Sequence, residues 1–439
     1  MRLSLMRSLS VLGVVATVAC GGEAQQTPPP QPAPPVATVV APSPDAKATA
    51  PAPVEQPVPT EVAKPAEKDI LELLPPSAKE HFGKGMTLMA ASPVEAIGEF
   101  ETALRESPDF YTAAYNLGVL LANDARPAEA RRAYEQALKT QPSFSPAVIG
   151  LASLAEALGD VDGAKRLLRA HLDKNPDATE TLAALAVLAA RHGDLDVARN
   201  SAIAVLRKDE RNARAMLAMG MVYRRQHKFE LATLGFNQAL EVDPGLGEAY
   251  AELGLVLVAQ KDMPKAVQAF ERAAEARPGV ASILNNLGAL KNEVGAYKGA
   301  IEVLEKAIKL DGKRPEYYLN LGNALRGDQR FADAEAAYQQ ALTVGGGAAG
   351  ALFNLGVLYL DNELPGKDTL SRNRACIEFL RSYQSKVKLS PEEQDKVDEY
   401  VTTAQKTIET EEKRLEREKR RAEERAKDEA GKAAPGGKP

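Results

Sequence analysis

Residues 284–308 read LNNLGALKNEVGAYKGAIEVLEKAI, and residues 318–342 read YLNLGNALRGDQRFADAEAAYQQAL. The second stretch begins 34 residues after the first. The two match position by position: Leu287 with Leu321, Gly288 with Gly322, Tyr297 with Phe331, Ala300 with Ala334, Leu304 with Tyr338, Ala307 with Ala341. A fixed period of this length marks an array of repeats. In steps of 34 from Gly118 the period lands on Ala152, Ala186, Gly220, Gly254, Gly288, Gly322 and Gly356 without an insertion. From Ala96 it lands on Ala130, Ala164, Ala198, Ala232, Ala266, Ala300 and Ala334. Small residues recur for a geometric reason: antiparallel helices whose axes approach to roughly 8 Å leave no room for a long side chain at the crossing. Larger apolar residues flank each crossing at helical spacing, as Phe270 does with Val267 and Ala266. Gly159, Gly193 and Gly295 mark the turns inside each pair, where a left-handed residue ends a helix. Pro142, Pro176, Pro244 and Pro278 recur between pairs, where proline ends one helix and can open the next.

One helix pair cannot bury its apolar face alone, so successive pairs must stack. Eight copies cover residues 77–348 and a ninth begins at Ala349. The order L-G, then Ala, then an aromatic or Leu, then Ala resembles the tetratricopeptide repeat. That resemblance implies an all-α superhelical solenoid of about nine helix pairs. The first copy is worn, with its L-G pair out of register by one residue. The chain has no Trp, and the family's Trp position holds Ala114, Val148, Leu182, Met216, Tyr250, Leu284, Tyr318 and Leu352. His171 and Val205 replace the later alanine, which predicts looser packing in those two repeats.

The ninth copy breaks at Pro365-Gly366, and its Ala375/Phe379 pair arrives seven residues late, so a loop is expected at the edge of the array. Ser390-Pro391-Glu392-Glu393 has the form of a capping box with proline at the first helical position. The stripe Val397, Tyr400, Val401, Ala404 and Ile408 predicts that the helix starting there covers the last repeat, as a solenoid end requires. Past Ile408 the chain becomes EEKRLEREKRRAEERAKDEA. Glu409–Lys413, Glu416–Arg420 and Glu423–Lys427 are spaced i, i+4, which predicts a solvated, ion-paired helix. The expected domains are the solenoid over residues 77–388, a capping helix running into a charged helix over 389–430, and a disordered tail over 431–439.

The N-terminus carries Arg2 and Arg7, then an apolar run from Val11 to Ala19 that ends at Cys20. That run is too short to span a bilayer and fits a secretory signal over residues 1–20. It resembles a bacterial lipobox, with Ala19 before Cys20 and Thr17 where Leu is usual. The resemblance implies lipidation of Cys20, and two or more acyl chains suffice for stable anchoring. Gly21 after the cysteine then implies sorting to the outer membrane, facing the periplasm. Residues 21–76 are rich in Pro, Ala, Val and Gln and read as a semi-stiff disordered tether. About 50 residues at ~3.1 Å each can reach roughly 150 Å.

Net charge is −5 with 26% charged residues, which excludes a strong nucleic-acid footprint. The only other cysteine, Cys376, reads as a small buried residue. The four histidines have no Cys or His at metal-ligand spacing, and no phosphate loop, nucleophile elbow or zinc-protease helix occurs. Neither an enzyme nor a cofactor is expected.

Binding is expected on the concave face that stacked pairs create. In the family, the residue two before the Gly/Ala position lines that face. Here it is Asn116, Gly150, Ala184, Ala218, Glu252, Asn286, Asn320 and Asn354. Asn286, Asn320 and Asn354 resemble the asparagine ladder that holds an extended peptide, since one amide offers a donor and an acceptor to one peptide unit. Asn323, Arg326 and Phe353 would bias the choice of peptide. Arg191, Arg214, Arg224 and Arg225 read as a basic patch suited to an acidic partner. The family's carboxylate clamp is disfavoured, because its groove positions hold Tyr115, Val119, Asn285 and Leu319.

The overall layout resembles tetratricopeptide-repeat outer-membrane lipoproteins of gliding-motility and pilus-assembly machineries. That resemblance implies a lipid-anchored scaffold for envelope-complex subunits, bound as protein segments in the groove. The alternatives are a regulator or adaptor of cell-wall enzymes and, should the N-terminus have another role, a cytoplasmic co-chaperone.

Overall fold

The repeat glycines Gly118, Gly220, Gly254, Gly288 and Gly322 each face one bulky side chain on the partner helix, sixteen positions later. In the computed structural model, residues 74–433 are described. Cys20, the expected signal and nearly all of the expected tether lie outside them. The described chain forms nineteen helices, α1 (Pro76–Leu88) to α19 (Pro391–Ala433). A Cβ placed on Gly118 would stand 2.6 Å from the Tyr134 ring, one on Gly220 2.5 Å from Phe236, and one on Gly322 2.4 Å from Tyr338. Real Cβ contacts do not come so close, so these positions are glycine because a ring fills the space. The alanine series is the other half of the joint: Ala96, Ala130, Ala164, Ala198, Ala232, Ala266, Ala300 and Ala334 all have no exposed surface. The worn first copy is mended by its neighbour, since Gly85, one residue out of step, is the one that meets Phe100.

Two units divide the described chain, one ending at Leu287 and the other beginning at Gly288. The first stacks pairs from α1 and α2 (Pro93–Glu106) through α3 (Tyr111–Asn123), α4 (Pro127–Thr140), α5 (Ser145–Ala157), α6 (Val161–Lys174), α7 (Thr179–Arg191) and α8 (Leu195–Lys208). It continues with α9 (Ala213–Arg225), α10 (Phe229–Val242), α11 (Gly247–Ala259) and α12 (Met263–Ala276). Looser packing at the two substituted alanines is not found. Val205 has no exposed surface, and His171 is buried with Nδ1 3.1 Å from the Thr181 hydroxyl.

The turn inside each pair repeats as faithfully as the helices. Position φ is positive at Ala125, Gly159, Gly193, His227, Lys261, Gly295 and Gln329, all 34 apart. After each comes a backbone bond of the Schellman type, such as Arg126 N to Leu121 O at 2.9 Å or Lys228 N to Tyr223 O at 2.9 Å. The sequence marks only three of these turns with glycine. In the other four an L-residue accepts the left-handed backbone at an energetic cost.

The second unit contains α14 (Tyr297–Leu310), α15 (Pro315–Gly327), α16 (Phe331–Thr343), α17 (Ala349–Asp361), α18 (Thr369–Lys386) and α19; α13 (Ala281–Glu293) carries the boundary. The expected insertion is real, but its register differs from the prediction. Cys376 and Leu380, not Ala375 and Phe379, are the fully buried pair. Leu380 is also the side chain that a Cβ on Gly356 would meet, at 2.7 Å. Phe379 instead sits edge-on to Tyr359. Asp368 caps α18 by accepting from Ser371 N at 2.7 Å. The predicted capping box forms: Ser390 N donates to Glu393 at 2.8 Å, and Glu393 N to Ser390 Oγ at 3.3 Å. Val397, Val401 and Ala404 are buried against the end of the array. From residue 412 to residue 429 the helix is exposed. The ion pairs formed there are Arg414 with Glu411 and with Glu418, both at 2.6 Å, and Glu412 with Arg374 at 2.9 Å, rather than the three predicted.

Candidate functional site

The first unit contains a cavity of about 1240 Å³. Its wall comes from the first helix of successive pairs, including Tyr115 on α3, Ile149, Gly150 and Ser153 on α5, Ala184 and Val187 on α7, and Arg214 and Leu217 on α9. The predicted inner positions Gly150 and Ala184 lie in that wall, and their small side chains leave the space open. Gly150 has a second constraint, because a Cβ there would meet the Tyr134 ring at 2.7 Å.

Charges cross this wall in pairs. Arg191, in the last turn of α7, donates Nη1 to Glu156 of α5 at 2.6 Å and Nη2 and Nε to Glu248 of α11 at 2.7 and 3.2 Å. His192 Nε2 lies 2.7 Å from the other Glu156 oxygen. Arg224 reaches Glu252 at 2.6 Å, and Arg225 donates to the Arg191 carbonyl at 2.5 Å. The predicted basic patch is therefore not a patch. Three of its four arginines are spent inside the protein: glutamates on neighbouring first helices hold Arg191 and Arg224, and the Arg191 carbonyl holds Arg225. Among the described residues Arg191 and Arg224 form ion pairs, Arg225 donates to a backbone carbonyl, and no ion pair is formed by Arg214. Burial disfavours the Glu156 charge, but Arg191 and His192 outweigh it and hold the carboxyl below its ordinary range. Burial pushes the Glu252 carboxyl up; Arg224 pulls against it, and Glu248 one turn back adds to the push.

The predicted ladder residues fall in different surroundings. In the first unit Asn286 is buried, and its Oδ1 has no hydrogen-bond partner among the described residues. In the second unit Asn320 is fully buried and Asn323 nearly so. Asn323 Oδ1 accepts from Tyr338 Oη at 2.9 Å and from Asn354 Nδ2 at 2.8 Å. Phe353 is flanked by Tyr383 of α18 and Tyr400 of α19, with ring centroids 5.5 and 6.0 Å away. Arg326 is half-buried. An amide ladder would need Asn286 and Asn320 to turn outward.

Glu156 and Glu248 escaped the sequence reading. The available signal was opposite charge on first helices one and two repeats from Arg191. Among the described residues no cluster of three or more His, Cys, Asp or Glu could hold a metal ion, and no helix is long and apolar enough to cross a membrane.

Tetratricopeptide-repeat models match residues 93–146, 183–234, 217–281 and 319–367, with further matches over 121–188 and 290–327. The chain is built of tetratricopeptide repeats. Such proteins generally work by binding other proteins. Among solved structures, the chain is similar to the crystal structure of MamA at 26% identity, covering 34% of this chain and 88% of that one, with a TM-score of 0.32. A second crystal structure of MamA protein aligns at 24% identity over 38% of this chain and 90% of that one, with a TM-score of 0.33. No curated protein matches the chain.

Proposed function

We propose that this protein is a lipid-anchored scaffold of the bacterial envelope, which captures segments of partner proteins on the inner walls of its repeats during assembly of a motility or secretion-type complex. The observation that carries the binding half is the cavity of about 1240 Å³ along the first helices of the first unit. Its partly exposed apolar lining of Ile149, Ala184 and Leu246 supplies burial for a partner's side chains. The anchoring half rests on the apolar run before Cys20 and the Pro-rich stretch after it. Cys20 takes the lipid, the outer membrane holds it, and the stretch after it sets the repeats at a distance. Asn286, Asn320, Asn354, Asn323, Arg326 and Phe353 remain candidates for a second contact surface that forms when a partner draws their side chains outward.

Membrane fractionation of Cys20→Ser tests the anchor: the variant is expected in the soluble periplasmic fraction, and one that stays with the membrane sinks the anchor. Asn286→Ala with Asn320→Ala tests the second surface. Partner capture should weaken with helicity unchanged, and unaltered capture would remove these residues from the site.

A further inference from the structure

In a solenoid each pair normally contacts only its neighbours. The Arg191–Glu248 bridge breaks that rule, because it runs from α7 to α11 past the whole α9–α10 pair. We propose that Arg191 is a clasp across the groove of the first unit, and that by holding Glu156 of α5 and Glu248 of α11 at once it fixes how far the inner wall stands open. As regulation of partner access this rests on the scaffold reading; as a mechanical element it stands on geometry alone.

The two arms differ. On the Glu156 side both carboxylate oxygens are engaged, one by Arg191 and one by His192. The Arg191 backbone is itself tied down, through the bond from Arg225 on α9. On the Glu248 side both bonds go to a single oxygen, and among the described residues no other cation pairs with that carboxylate. Glu248 also lies one turn from Glu252 on α11, a like-charge spacing that favours release. Glu248 is therefore the arm that opens. The bridge is no ordinary surface pair: the side chains of Arg191, Glu156 and Glu248 are 28%, 14% and 18% exposed. A surface pair such as Arg126–Glu129, within one helix entry, closes no groove.

The test is a distance across the first unit in the full-length chain. Spin labels go on Glu135→Cys of α4 and Gln268→Cys of α12, both exposed, in a Cys20→Ser background with Cys376 left buried. With Arg191→Met the distribution should shift to longer distance and broaden. Glu248→Gln should shift it the same way by less, and Arg126→Met not at all. Should Arg191→Met disturb folding, as circular dichroism would show, Glu248→Gln decides alone. Wild-type distributions in both groove variants would overturn the clasp. Because no partner is needed, that outcome would leave the scaffold reading standing, and a lost partner with an intact clasp would do the reverse.

Discussion

The inner walls of the two units use equivalent positions of the same repeat and finish them differently. In the first unit two of those positions, Gly150 and Ala184, line a wall that stays open as a cavity bridged by Arg191. In the second they hold Asn320 and Asn354, and the wall is occupied by its own side chains: Tyr338 and Asn354 both donate to Asn323, and Tyr400 of the terminal helix packs beside Phe353. The period dictates how helices pair, through Gly against ring and Ala in the crossing. It leaves free what faces inward, and the side chains there make the difference between an open cavity and a closed network.

Four tests bear on this contrast, beginning with the largest effect. Leu380→Ala should lower stability by about 2–5 kcal/mol, the cost of emptying a fully buried leucine site. Phe379→Ala, at a partly buried ring, should cost less in the same urea titration. The reverse order would return the second unit to the register predicted from sequence. Next come the left-handed turns, which both units share. His227→Gly in the first and Gln329→Gly in the second should each stabilise by roughly 1 kcal/mol, through relief of Cβ strain. A loss at either would mean that its side chain does more than tolerate the turn.

Most of the fold was legible because it is local and periodic. Ala300 and Ala334, Gly288 and Gly322, and the Ser390/Glu393 box declare themselves over a few residues each. The four turns at Ala125, His227, Lys261 and Gln329 were hidden, since their conformation is imposed by the helices on either side and not by the residue itself. The site was less legible than the fold. Whether Asn320 faces out or in depends on how closely neighbouring first helices pack, and the reach of Arg191 to Glu248 depends on curvature summed over repeats. Neither is written at any single spacing.

Tyr338→Phe should cost about 1 kcal/mol, the net value of the hydrogen bond to Asn323. It should also loosen Asn354, detectable as faster exchange of its side-chain amide. A neutral result would mean that the second wall is held by packing alone. The smallest effect is a pH dependence confined to the first unit. Burial lowers the His171 pKa, so the unfolded chain takes up a proton at that site before the folded one does. The stability from neutral His171 is complete above its unfolded pKa of about 6.5 and is lost as pH falls from there toward the lowered folded value. His171→Leu should flatten that part of the pH–stability curve, and an unchanged slope would place the dependence elsewhere.

The central claim is that the open wall of the first unit receives the partner. A photo-crosslinking residue placed at Ser153 in the cavity wall, and separately at Asn354 in the second unit, reads this directly in intact cells. Discrete adducts to another protein at Ser153, weaker or absent at Asn354, are the predicted result. Adducts at Asn354 with none at Ser153 would contradict it.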